Sequence, residues 1–242
     1  MMIVCLESIP KTLIIVPAYN EQDTIGKTLS SLVELKEEIR NLEICVVNDG
    51  STDRTKDIVS TFDVVQLDLS QNLGIGGAVQ TGYKYAYNQG FDIAVQFDAD
   101  GQHKTSDLFD LITPIINDEE DMVIGSRFLH RTDYKGSKLR RIGIYYFYVI
   151  LKLLTKKSYT DPTSGYRAIN RHVIELFAND YPKDYPEPEV LMHLSRKKMR
   201  IKEVTANMQG RQGGESSITP WKSIYYMGKV TLSILMQSIV KE

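Results

Sequence analysis

The sequence predicts an α/β fold: a mostly parallel, twisted sheet flanked by helices on both faces. Three observations predict it. Short, β-branched apolar runs alternate with segments whose apolar residues recur at helical spacing. The loops between them are short, as βαβ units require. The 242 residues are 42% hydrophobic and 25% charged, enough to bury a sizeable core and unlike a disordered or disulfide-scaffold chain.

Lys11–Val16 is a buried strand ended by Pro17. Residues 22–39 carry Ile25, Leu29, Leu32, Val33 and Ile39 on one helical face. Leu42–Val47 is a second strand, Thr52–Ser60 a short helix and Phe62–Leu67 a third strand. Gly74–Asn88 is helical, with Gly90 placed to stop it. Phe91–Phe97 is a fourth strand, Thr105–Asn117 a helix and Asp121–Ile124 a fifth strand. The second half is less regular. Asp161–Gly165 is turn chemistry, and residues 180–188, rich in Pro and Tyr, read as a loop. Pro220–Val240 is an amphipathic helix. Trp221, Ile224, Tyr225, Leu232, Leu235, Met236 and Ile239 share one stripe, and Lys222, Lys229, Ser233 and Gln237 another.

Lys plus Arg is 29 and Asp plus Glu is 31, a net charge of −2, so nucleic acid is not an expected partner. Cys5 and Cys45 fit no zinc or CxxC spacing; Cys45 reads as a buried thiol in a reducing compartment. Met1–Leu6 has no basic start or long apolar stretch, so no secretory signal is expected. Ile142–Leu151 and Val230–Val240 fall short of the ~18 residues of a spanning helix.

Ligands of such sheets bind beyond the carboxyl ends of the strands. That rule directs attention to Pro17–Glu21, Asn48–Asp53 and Asp98–Gln102. Asp98-Ala-Asp-Gly-Gln102 carries the sharpest signal. In extended chain, residues two apart project to one side, so Asp98 and Asp100 aim at one point and Gln102 adds an amide oxygen. Oxygen-only ligation suits Mg²⁺ or Mn²⁺. The same residues also suit a solvated acidic turn. Asp49 lies in an Asp-Gly turn, with Ser51 or Asp53 able to cap the next helix; beside a ligand it would meet a base or ribose. Asn20 can cap the helix after it, and Tyr19 can stack on a base. Gly74, Gly76 and Gly77 complete no phosphate-loop motif and suit close packing or a tight helix entry. The four histidines are scattered and read as ordinary surface or core side chains. Residues 135–160 hold seven basic side chains and no acid around an apolar, Tyr-rich segment, which suits an anionic membrane surface at ~1 kcal/mol per basic residue. The last helix either joins that surface or packs on the sheet.

Taken together, the motifs resemble glycosyltransferase family 2, with a GT-A fold. They are Val16-Pro-Ala-Tyr-Asn-Glu21, Val47-Asn-Asp-Gly-Ser51 and Asp98-Ala-Asp-Gly-Gln102. Gly125-Ser-Arg127, Asp161-Pro-Thr-Ser-Gly-Tyr-Arg167, Gly210-Arg211 and Glu215-Ser216 are similar to the polyprenyl-phosphate branch, that of dolichyl-phosphate mannose synthase.

The resemblance implies roles. Pro17, Tyr19, Glu21, Asp49, Asp98 and Arg211 would hold the nucleotide-sugar, and Asp98, Asp100 and Gln102 the metal, Mg²⁺ or Mn²⁺. Arg127 and Arg140 would engage the acceptor phosphate, with Asp161, Asp100 and Arg127 at the reacting centre. It implies one GT-A catalytic domain over 1–242. Residues 11–130 form the donor half, 131–217 the acceptor half and 218–242 an amphipathic helix. The expected reaction is inverting transfer, from a UDP-sugar by preference, to a polyprenyl (undecaprenyl) phosphate. The alternatives are a glycan hydroxyl acceptor and a non-catalytic nucleotide-sugar binder. The expected place is peripheral, on the cytoplasmic face of the plasma membrane. Relatives often carry Ser-Lys in the last motif and C-terminal spanning helices. Here Ser217 follows Ser216 and no such stretch is seen, which leaves interfacial helices, a small membrane-protein partner or a second copy to supply attachment.

Overall fold

The computed structural model describes residues 9–129, 138–183, 186–208 and 220–239, with the backbone alone for 138–140 and 220–224. Among these residues seven strands form one sheet: β1 (Thr12–Ala18), β2 (Leu42–Asn48), β3 (Val65–Asp68), β4 (Ile93–Gln96), β5 (Met122–Ser126), β6 (Arg167–Asn170) and β7 (Ile201–Thr205). Their order is β3-β2-β1-β4-β6-β5-β7. All neighbours are parallel except β6, which runs antiparallel to both β4 and β5. The helices are α1 (Ile25–Glu38), α2 (Thr55–Val59), α3 (Gly74–Asn88), α4 (Leu108–Ile116), α5 (Lys138–Thr155), α6 (Arg171–Asn179), α7 (Pro186–Arg196) and α8 (Pro220–Ile239).

Strand alternation builds two cores. Leu13 and Ile15 of β1 pack toward α3, α6 and α7, whereas Ile14 and Val16 pack toward α1 and α4. Cys45 is buried in the first core, where burial raises its thiol to about 12, with Glu43 adding to the rise. α3 runs from Gly74 to Asn88 as expected. Gly76 lets it approach the 182–183 segment, because a Cβ there would overlap the carbonyls of Pro182 and Lys183.

Several expectations need correction. Pro17 does not end β1, which continues to Ala18 opposite Asn48. Backbone groups of alternate residues face the same neighbour. The carbonyl of Ile15 accepts from Phe97 N on the β4 side, so the missing N–H of Pro17 also faces that side, beyond the last β4 pair Ile15↔Gln96. Asn20 caps no helix of its own; its Oδ1 accepts from Thr52 N, 2.8 Å away. Residues 105–107 form a 3₁₀ turn ahead of α4. The 180–188 stretch gives way to α7 at Pro186, since proline is tolerated in a first helical turn where the N–H has no partner to lose. The sequence reading missed β6, α6 and β7 altogether.

α8 packs on α5 and α7. Its buried side is Val230 and Ile234, with Ser233 donating to Glu189 Oε2 at 2.6 Å. The apolar stripe is the outer one: Leu232, Met236 and Ile239 are 60%, 57% and 77% exposed. No helix among the described residues is long and apolar enough to cross a membrane.

Candidate active site

The strand ends of β1 and β2 carry two loops laced together. Asn20 N donates to Ser51 Oγ at 3.0 Å, Glu21 N to Thr55 Oγ1 at 2.8 Å and Gln22 N to Asp53 Oδ2 at 3.1 Å. Burial pushes the Asp53 carboxyl up, but hydrogen bonds from Thr55 and Gln22 outweigh it and hold it below the usual value. Asp49 is buried. Its two oxygens accept from Leu73 N at 2.7 Å and Gly74 N at 3.0 Å, fixing the start of α3 beside the loops. Tyr19 is exposed at the rim, where its ring is available for stacking.

The third loop leaves β4 at Gln96, so residues 98–101 lie in a turn and not in the extended chain the sequence suggested. Gly101 takes φ +71° there, and Asp100 Oδ1 accepts from Gln102 N at 3.1 Å. Asp98 Oδ2 lies 2.9 Å from Nε2 of His103, whose side chain is fully buried and stacks on Tyr166. A Cβ on Gly165 would sit 3.0 Å from Asp98 Oδ1 and 3.0 Å from Gln96 Nε2. The missing side chain therefore keeps the flank of Asp98 open. Around it, the Gln96 amide, His103 Nδ1, Tyr166 hydroxyl and Arg167 Nη1 are buried without a partner among the described residues.

These residues fit a hard divalent cation. The loop offers two carboxylates and the Gln102 amide, all oxygen, and a histidine that orients one carboxylate. Among the described residues no three His, Cys, Asp or Glu side chains are grouped so as to hold a metal ion.

Next to Asp98 lies the turn that precedes β6. Asp161, fully buried, accepts from Arg127 three times: Nε at 2.6 Å and N at 3.1 Å on Oδ2, and Nη2 at 2.6 Å on Oδ1. Arg127, at the end of β5, is only 2% exposed. Glu203 of β7 accepts from Asp161 N at 2.8 Å through Oε1, and from Thr160 N at 2.8 Å and Thr160 Oγ1 at 3.0 Å through Oε2. Burial pushes the Glu203 carboxyl up, against the pull of those amides, and Asp161 adds to the push. Arg167 donates from Nε to Ser164 O at 2.6 Å and from Nη2 to Pro162 O at 3.1 Å, so it fixes the turn from below.

The glycosyl transferase family 2 model matches residues 13–177, more than half of the chain. The chain belongs to glycosyl transferase family 2. It is therefore a glycosyltransferase enzyme. A UDP-N-acetylglucosamine–dolichyl-phosphate N-acetylglucosaminyltransferase of Methanococcus voltae is 33% identical over 211 residues, covering 79% of this chain and 82% of that protein. An undecaprenyl-phosphate mannosyltransferase of Micrococcus luteus is 28% identical, covering 86% of this chain and 88% of that one. Among solved structures, glucosyl-3-phosphoglycerate synthase of Mycobacterium tuberculosis, in complex with Mn²⁺, UDP and phosphoglyceric acid, matches with a TM-score of 0.75. It is 19% identical over 98% of this chain and 81% of that one. That likeness gives this family 2 transferase the GT-A fold.

In this transferase, Pro17, Tyr19, Glu21 and Asp49 gather on the β1 and β2 ends, and Asp98, Asp100 and Gln102 on the loop after β4. Gly165 joins Asp98 to the turn that holds Asp161 and Arg127. Arg140 lies on α5 with its side chain outside the described residues, as does Arg211 altogether. Sequence reasoning missed His103, Glu203 and Glu187. His103 stands five residues past Asp98, a spacing that a helix or strand pattern does not single out. Glu187 opens α7, half-buried; burial pushes its carboxyl up against the pull of Arg167, and Asp98 adds to the push.

Proposed function

We propose that this chain transfers a sugar from a nucleotide-sugar, by preference a UDP-sugar, to a polyprenyl phosphate at the cytoplasmic face of a membrane, with inversion. The observation that carries the reading is the match, over 79% and 86% of this chain, to two enzymes whose names specify dolichyl phosphate and undecaprenyl phosphate. The first also names a UDP-sugar.

Asp98, Asp100 and Gln102 would hold Mg²⁺ or Mn²⁺, whose charge offsets that developing on the leaving diphosphate. Pro17, Tyr19, Glu21 and Asp49 would frame the nucleotide, and Arg211 would come over it. A phosphomonoester acceptor is largely ionised near neutral pH, its second pKa being about 6. It needs positioning more than a base, which suits Arg127 and Arg140. Asp161 then orients Arg127 and takes no proton. The outward apolar stripes of α5 and α8, with exposed Arg141, Lys152, Lys156 and Lys157 beside the first, suit an anionic bilayer.

One observation favours a second reading. A glycan hydroxyl acceptor needs a general base, and the carboxyl of Glu187, pushed up by burial with Asp98 adding to the push, suits one. The test uses purified protein with labelled UDP-glucose, UDP-N-acetylglucosamine and GDP-mannose, undecaprenyl phosphate, and Mg²⁺ or Mn²⁺. Label that enters organic solvent and disappears with EDTA supports lipid-phosphate transfer and names the sugar. Donor turnover without lipid label favours the hydroxyl acceptor. Donor binding without turnover points to a nucleotide-sugar binder.

A further inference from the structure

We propose that Glu203, on edge strand β7, is a positioning residue that aims Arg127 at its phosphate by way of Asp161. The proposal rests on the reading of Arg127 as the phosphate-binding group. Arg127 is held by Asp161 through its backbone N and two guanidinium donors, and Thr163 of the same turn accepts from Nη2 at 3.0 Å, so the guanidinium goes where that turn goes. Asp161 lies outside any strand or helix, and no ladder fixes it. Both oxygens of Glu203 reach across to this segment. One takes Asp161 N and the other takes Thr160 N and Oγ1, all within 3.0 Å.

The grip also closes on Arg127 from its own side. Thr160 Oγ1 lies 2.7 Å from Ser126 Oγ, and Ser126 Oγ accepts from Phe128 N at 3.1 Å. The residues before and after Arg127 are thus tied to the group that Glu203 holds. β7 itself is registered against β5, with Ile124 opposite Glu203 and Ser126 opposite Thr205. One carboxylate on a rigid strand sets both ends of the Arg127–Asp161 pair.

Glu203→Gln keeps the shape but turns one acceptor into a donor facing a backbone N–H. The expected result is a loss of about tenfold to hundredfold in kcat/KM for polyprenyl phosphate, the size of a lost charged hydrogen bond. The KM for the nucleotide-sugar stays within about twofold of wild type, since the nucleotide loops are not in the relay. In an Arg127→Lys background, Glu203→Gln adds little, because the group it aims is already gone. A purely structural role predicts independent, multiplying effects and a parallel fall in every parameter.

The same relay is read without substrate by NMR. The Nε–H signal of Arg127, assigned by its loss in Arg127→Lys, is expected to exchange slowly in wild type. In Glu203→Gln it exchanges at least about tenfold faster while core amides of β1 and β4 keep their protection. Glu203→Asp, which keeps charge but shortens the reach, is the second variant and is read in the same way. Wild-type exchange at Arg127 and wild-type acceptor KM in both variants overturn the proposal. Absent lipid transfer by the wild type overturns the function reading instead, and the exchange measurement still decides for or against the relay.

Discussion

Gly165→Ala tests whether Asp98 holds a metal. The new Cβ would sit 3.0 Å from Asp98 Oδ1 and Gln96 Nε2 and 3.2 Å from Asp98 Oδ2, a few tenths of an ångström inside ordinary contact. The backbone of Gly165 is not in the left-handed region, so alanine brings no strain of its own there. The overlap must move the carboxylate, and Oδ2 is the atom that His103 holds at 2.9 Å. Losing half of a charged hydrogen bond worth about 1.5–3 kcal/mol weakens the grip on a divalent ion by about 1 kcal/mol, or about fivefold. The assay is activity against Mn²⁺ concentration, with a thermal melt in parallel. The expected result is a half-saturating Mn²⁺ concentration raised about fivefold, recovery of turnover at high Mn²⁺, and an almost unchanged melt. An unchanged Mn²⁺ requirement in a folded variant would refute the assignment of Asp98 to the metal.

Asp161→Asn leaves the buried guanidinium of Arg127 uncompensated, so urea unfolding should show a loss of about 3–5 kcal/mol, with transfer falling in step; wild-type stability would mean the pair is dispensable. Asp53 has a lowered carboxyl pKa in the folded chain, so on acidification the unfolded chain takes the proton first. Its stabilisation is complete above the unfolded value of about 3.9 and is lost as pH falls through the folded value. The melting gap between wild type and Asp53→Asn should therefore be full near neutrality and close in acid; a constant gap would count against it. Leu232→Glu with Met236→Glu should abolish sedimentation with anionic liposomes and leave the melt unchanged, since both side chains are exposed; retained binding would move the membrane face elsewhere.

Much of the first half of the chain was legible because its chemistry is local. Apolar β-branched runs end in turn residues, and α3 is bounded by glycines that the sequence displays. The second half hid its elements. β7 reads Ile201-Lys-Glu-Val-Thr205 and buries none of its residues fully, so no apolar run announces it. α7 begins with two prolines that look like loop. α8 was read as two stripes, but the residues it buries, Val230 and Ile234, belong to neither of them, because periodicity does not say which side meets the protein. Its buried face is narrow, around Val230 and Ile234, because Ser233 on that side answers Glu189 of α7. The site's supporting residues were illegible for a related reason: the partners of His103 and Glu203 are assigned by tertiary approach and leave no spacing rule in the chain.

The reversal of β6 explains how the two halves of the site meet. In a parallel sheet only the carboxyl ends of strands, and the loops that follow them, reach the binding edge. β1, β2, β4 and β5 deliver their loops there in that way, and β7 points its carboxyl end to the same edge. β6 runs the other way between β4 and β5, so the turn before it arrives at the same edge. That turn carries Asp161 to Arg127 and Gly165 to Asp98. Three side chains from around the sheet hold it, Arg127 and Glu203 on Asp161 and Arg167 on the carbonyls of Pro162 and Ser164, and its own Ser164 donates to Gly125 O at 2.7 Å. A buried ion pair is a poor device for stability, since well-packed apolar residues in its place are often as stable or more so. Keeping one here, with its carboxylate fixed from an edge strand, fits the proposed role of Arg127, in which the guanidinium stands ready at a fixed point beside the Asp98 loop. The antiparallel strand is the topological means of bringing it there.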